Sequence, residues 1–164
     1  AGPLLAVLAI WLLTVYTGAY NIAAADSHAD IVRWTFDTTM HRSVKRRASA
    51  FTPPEQVGEE ALSAGAEIYS RSCAHCHGAP GAEHEPWAGN MRPQPPEMTH
   101  AAADWEAREV FWIVKHGIKM TGMPAFGPEH DDATLWSIAA FVKRLPGMTP
   151  QEYQAATEGA SHRH

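Results

Sequence analysis

The sequence predicts an all-α protein in which one apolar helix and one amphipathic helix precede a domain of three main helices. Three observations predict it. None of the 13 Lys and Arg or the 18 Asp and Glu lies before Asp26, so the first segment has the character of a bilayer solvent rather than water. Beyond it, apolar residues recur at helical spacing inside segments whose ends carry helix start and stop signals. No stretch alternates with the period of a strand, and no internal repeat is visible. With 164 residues, 45% hydrophobic and 19% charged, the chain is long and apolar enough to bury a core and unlike a disordered polymer. Its formal net charge of -5, counting ten His as neutral, gives no footprint for binding nucleic acid, whose affinity rests on neutralising phosphates.

Residues 1–25 are expected to form an uncleaved transmembrane anchor. From Leu4 to Ala25 the only strongly polar side chain is Asn21, and the run of about 22 residues is long enough to cross a bilayer as a helix. Trp11, Tyr16 and Tyr20 add aromatic character, and Tyr16 and Tyr20, one helical turn apart near the outer end, suit the headgroup zone. Ala23 and Ala25 also form an A-x-A-like cleavage site, the mark of a secretory signal, but the apolar run exceeds a usual signal core. Residues 26–57 are read as a juxtamembrane amphipathic helix and proline linker. Asp26 or Ser27 is its expected cap, and Ile31, Val32, Trp34, Phe36, Met40 and Val44 give it an apolar side suited to a greasy surface. The basic run His41–Arg47 precedes the helix-ending Pro53 and Pro54. It suits anionic headgroups, an acidic partner subunit or simply a solvated helix end.

Residues 58–146 carry the three helical patterns. The first, about 58 to 71, places Leu62, Ala66 and Tyr69 on one side, with Gly65 beside them to admit a crossing helix. A second, about 101 to 116, carries Trp105, Val110, Phe111, Ile113 and Val114 and stops at Gly117. The third starts at Asp131 or Asp132 and ends with Lys143 and Arg144 before Pro146. Between the first two lies Gly78–His100, a loop with five prolines and three glycines; Trp87, Met91 and Met98 make it a wrapping segment. Residues 147–164, ending Ser161-His-Arg-His164, are read as a mobile tail.

The decisive string is Cys73-Ala-His-Cys76-His77, the C-x-x-C-H pattern of covalent c-type haem attachment. Thiols three positions apart at the start of a helix each form a thioether with one vinyl group of a single haem, and the adjacent His77 turns its imidazole to the iron. A thioredoxin-like redox pair would need a βαβ unit, and half a zinc site would need further ligands at matching spacing. A second axial ligand comes from Met91, Met98, Met120 or Met123. Met123, in Thr121-Gly-Met-Pro-Ala-Phe126 between the second and third helices, is the leading candidate. Met120 is its competitor, while Met91 and Met98 read as packing residues.

Cys73–Gly78, followed by Gly117-Ile-Lys-Met-Thr-Gly-Met-Pro-Ala-Phe-Gly127 and a closing helix, resembles the class I monohaem c-type cytochromes, especially bacterial membrane-anchored members. The resemblance implies a cytochrome c fold with one haem c, held by Cys73 and Cys76 and ligated by His77 and Met123. It implies that the first and last helices cross with Gly65 and Tyr69 against Trp136 and Ala140. The proline-rich loop would border the haem propionates, with Arg92 as their charged partner and Trp87 nearby. The implied function is single-electron transfer rather than enzyme catalysis, as a tethered carrier or as a haem subunit of a respiratory membrane complex. Its partners would be redox donors and acceptors such as a terminal oxidase or membrane dehydrogenase. The implied location is the bacterial inner membrane, single-pass, with the haem domain periplasmic, although Arg42–Arg47 then lie on the exported side against the positive-inside rule. Residues 58–146 hold seven basic and twelve acidic side chains, which favours a partner with basic residues around its own cofactor. The rival from another class is a haem-based sensor or ligand-binding enzyme with an open axial site, which rapid carbon monoxide binding would reveal.

Overall fold

The computed structural model describes residues 2–161, and these form helices without β-strands. Helix α1, Gly2–Thr17, is exposed along its whole length. It ends before the predicted 22-residue span is complete. Thr14 and Thr17 turn their hydroxyls back onto the carbonyls of Ile10 and Leu13, and Gly18 takes φ +65°. Asn21 then accepts the Ala23 N–H in a turn and donates to Asp26. The expected transmembrane helix is thereby corrected to a shorter one: among the described residues no helix is long and apolar enough to cross a membrane.

Helix α2, Asp30–Ala48, starts later than Asp26 or Ser27 because that stretch is taken up by the turn, where Tyr20 and His28 hydrogen-bond at 2.8 Å. Its apolar side divides. Val44 and Ala48 are buried, the His41 ring stacks on Trp105 at 4.6 Å, and Phe51 beyond the helix packs on Phe111 at 5.1 Å. Ile31, Trp34 and Phe36 at the other end stay exposed.

Helix α3, Glu59–Ile68, crosses α7, Asp132–Val142, at Gly65. A Cβ on Gly65 would stand 2.3 Å from the Ser137 carbonyl oxygen, so only hydrogen fits there. The crossing lies one residue beyond the expected Trp136 and Ala140: Gly65 meets Ser137 and Ile138, and Tyr69 meets Phe141 at 5.7 Å. Trp136 turns away to stack on Phe111 of α6, Ala107–His116, at 4.0 Å. Tyr69, Phe111, Leu135, Ile138, Phe141 and Leu145 fill the core.

Chain α3 continues through a π-helical turn, Tyr69–Cys73, into the short α4, Ala74–His77. The predicted helix over 101–116 is broken: α5, Met98–Ala101, and a 3₁₀ turn, Ala102–Asp104, precede α6, Ala107–His116. Glu106 and Glu109 form the capping box that sets the start of α6, a role Ala101 has no side chain to fill. Asp131 caps α7 as expected, accepting the Thr134 N–H at 2.8 Å, a bond that holds its carboxyl below the usual range.

The mobile tail is also corrected, because Pro150–Ser161 forms helix α8. Thr149 and Glu152 exchange hydrogen bonds around its first turn, with Pro150 at the first helical position. Tyr153 packs on Phe141 at 6.2 Å. His162, Arg163 and His164, the end of the histidine-bearing terminus, lie outside the described residues.

Lys143 follows α7 and donates to the carbonyls of Ala102, at 2.5 Å, and Trp105, tying the segment before α6 to the core. Lys143→Met keeps the stem and removes both charged bonds. Chemical denaturation is expected to show a loss of about 2 kcal/mol, the range for hydrogen bonds to a charged group.

Candidate functional site

The site is built on the turn that joins α3 to α4. Cys73 is buried at the end of the π-helical turn, Cys76 is half-buried one turn on, and both are free thiols. Burial pushes the Cys73 thiol up to about 12, with the neighbouring Cys76 adding to the rise. A thioether has no proton to lose, so attachment suits this apolar position better than a thiolate would. Gly78 ends α4 with φ +68°, and the buried Tyr69 hydroxyl donates to its carbonyl at 2.7 Å. Desolvation raises the Tyr69 phenol, which stays a neutral donor. This bond pins the end of the Cys76–His77 turn to the core.

His77 Nδ1 lies 2.8 Å from the Pro96 carbonyl oxygen. A carbonyl only accepts, so Nδ1 carries the proton and Nε2 keeps its lone pair. Burial lowers the imidazole pKa, opposed by that hydrogen bond, and the ring is therefore held neutral near pH 7. A fixed tautomer with the other nitrogen available is the arrangement of a metal-ligating histidine and its supporting shell. Two thiols and this imidazole fit a covalently bound haem. Among the described residues, no group of three His, Cys, Asp or Glu side chains could hold a metal ion, so no zinc set is completed around the cysteines.

The four candidate methionines differ in placement. Met123 is half-buried and packs against the core cluster that contains Cys73. Its loop is closed on itself: Thr121 Oγ1 donates to the Ile118 carbonyl and accepts from the Met123 N–H, while the Ile118 N–H donates to the Met123 carbonyl. Gly117, with φ +65°, lets this loop approach, since a Cβ there would stand 2.7 Å from the Pro124 carbonyl carbon. Met120 is 77% exposed, with φ +61°. Met98 packs against the same core as Met123, and the Met91 methyl lies over Gly122, where a Cβ would be 1.9 Å from it.

Arg92 is half-buried, and its Nη1 donates to the carbonyls of Gly89 and Met91 at 3.1 and 2.8 Å. Trp87, on the same loop, is 54% exposed. Sequence reasoning missed the roles of Tyr69 and Pro96. A tyrosine four positions before a buried cysteine is a readable hint of the first, whereas nothing in the string distinguishes Pro96 from its neighbour Pro95.

The family model described as cytochrome C oxidase, cbb3-type, subunit III matches residues 60–142, about half of the chain. No curated protein and no solved structure matches it.

Proposed function

The chain belongs to the cbb3-type cytochrome c oxidase subunit III family, whose c-type cytochrome domain binds haem c covalently and carries electrons without being an enzyme itself, and on that premise we propose how its residues do so. Cys73 and Cys76 would hold the haem through thioethers, and His77 Nε2 and Met123 Sδ would ligate its iron. The bound haem iron supplies the chemistry, gaining or losing one electron between its ferric and ferrous states. The observation that carries this reading is the His77 Nδ1–Pro96 hydrogen bond. It fixes the tautomer and ring plane and raises the basicity of the ligating nitrogen. Arg92, with Nη2 and Nε outside its two backbone bonds, is the cation for the propionates.

The test is a redox titration followed by visible absorption. A one-electron curve is expected, with a reduced form that does not take up carbon monoxide rapidly. Rapid carbon monoxide binding would instead support the sensor or ligand-binding alternative. Changing Cys73 and Cys76 together to Ser is expected to leave the haem extractable by acidified organic solvent, whereas the parent keeps it bound. Extraction-resistant haem in the double variant sinks the attachment assignment.

The domain works at a membrane, periplasmic in a bacterial cell, as a tethered carrier or haem subunit serving a respiratory oxidase. Helix α1 supports this, being apolar and exposed along its whole length. Its rise is about 24 Å against about 30 Å of hydrocarbon, so it anchors by burying its apolar surface in the bilayer without spanning it. The acidic balance of residues 58–146 favours a redox partner with basic residues around its cofactor. Removing residues 1–25 is expected to move the holoprotein from the carbonate-resistant membrane fraction to the supernatant. A truncated protein that stays with the membrane overturns the anchor.

A further inference from the structure

We infer that the outward face of α2 lies on anionic lipid headgroups and so sets the haem domain's orientation at the bilayer surface, an inference that rests on the anchoring role of α1. Val44 and Ala48 define the side of α2 that the core covers. Ile31, Thr35, Arg42 and Arg46 fall in one row on the opposite side, with Trp34 and Lys45 beside it. The face is graded along its length. At the α1 end stand Ile31, 66% exposed, and Trp34, 63% exposed; toward the haem domain stand the three cations.

Two further observations select lipid as the occupant. The first is charge. Arg42, Lys45 and Arg46 make no ion pair among the described residues, while Asp30 is already paired with Arg33 and Asp37 falls on the side of Val44. Unpaired cations on the face of a helix beside exposed Ile and Trp match a headgroup layer over an acyl boundary. The second is continuity. Tyr20 and His28 hydrogen-bond and stack across the connecting turn, which brings the end of α1 beside the start of α2. Ile31 and Trp34 therefore stand at the start of the first helix that follows the anchor. Because α2 is held to the domain through Val44, Ala48 and the His41–Trp105 stack, seating its outer face fixes the domain and not only the helix.

The experiment uses the full-length holoprotein, in which Cys73 and Cys76 are consumed as thioethers and an introduced thiol is unique. Thr35→Cys and Leu8→Cys, each carrying a nitroxide, are reconstituted in phosphatidylcholine vesicles with or without phosphatidylglycerol. Collisions with a water-soluble nickel chelate and with oxygen report depth. The Leu8 label is expected in lipid in both vesicles. The Thr35 label is expected to lose nickel accessibility several-fold only when phosphatidylglycerol is present. Adding Arg42→Gln, Lys45→Gln and Arg46→Gln is expected to return it to water with an unchanged haem spectrum. Persistence of the shielded state in that variant overturns the inference. A Thr35 label that stays in water on anionic vesicles, with Leu8 in lipid, also overturns it, leaves the anchor standing and assigns the face to an acidic protein. Both labels in water would bring down the anchor reading together with the inference.

Discussion

Met123→Ala is expected to abolish the far-red methionine–iron charge-transfer band of the oxidised protein and to open the reduced iron to rapid carbon monoxide binding. The thioether is the group that a truncation at this position removes, and the loop around it is held by its own hydrogen bonds among Ile118, Thr121 and Met123. The variant should therefore fold. Its reduction potential should fall, because a methionine ligand raises the potential of a His-ligated haem. Met120→Ala is the control. That side chain is exposed, so its loss is expected to leave the band in place. Unchanged spectra in Met123→Ala, with loss in Met120→Ala, would transfer the ligand role to Met120 and require the exposed residue to turn inward.

Gly65→Ala is expected to be the most damaging single methyl added to the fold. The new Cβ would meet the Ser137 carbonyl oxygen at 2.3 Å and its carbon at 2.6 Å, and both atoms belong to the backbone of α7. A flexible side chain could move aside; a helix must shift as a body and drag Ile138 and Phe141 out of register with Tyr69. Overpacking against rigid atoms costs about 3 kcal/mol, the upper part of the usual range. For a domain of this size that lowers the melting temperature by on the order of 15 °C. Thermal unfolding followed at the haem absorbance and by circular dichroism measures it. A melting temperature within about 2 °C of the parent would mean that the helices do not cross at Gly65.

These two experiments probe features of different legibility. The C-x-x-C-H string and the glycine-flanked Met-Pro segment are local, and their chemistry follows from residue type and spacing. Helix α7 was equally readable, since Asp131, Lys143 and Pro146 punctuate it within a few residues of its ends. The α8 helix is legible too: Thr149-Pro-Gln-Glu152 carries both the capping pair and the proline of a helix start. The anchor segment misled for a physical reason. Hydropathy counts Thr14, Thr17, Gly18 and Asn21 as tolerable interruptions. Their hydroxyl and amide bonds to nearby backbone, with the positive φ of Gly18, end the helix at Thr17.

The crossing of α3 and α7 shows the limit of reading one helix at a time. A small residue and an aromatic could be matched to Trp136 and Ala140 or, one step on, to Ser137 and Phe141, because a single-residue shift changes both faces by only part of a turn. The Phe111–Trp136 stack settles the rotation of α7. That contact joins two helices distant in sequence, and no local pattern specifies it.

By itself, then, the sequence determined the helical class, the C-x-x-C-H string, the short list of candidate methionines and the segregation of apolar, basic and acidic segments along the chain, because each is a matter of residue chemistry and spacing. Only the tertiary structure decided that Met123 and not Met120 packs with the core, that the Pro96 carbonyl fixes the His77 tautomer, and that α2 divides between the domain and the exterior. Those outcomes depend on which surfaces remain after α3, α6 and α7 have packed, and burial is a property of the whole fold rather than of any one segment.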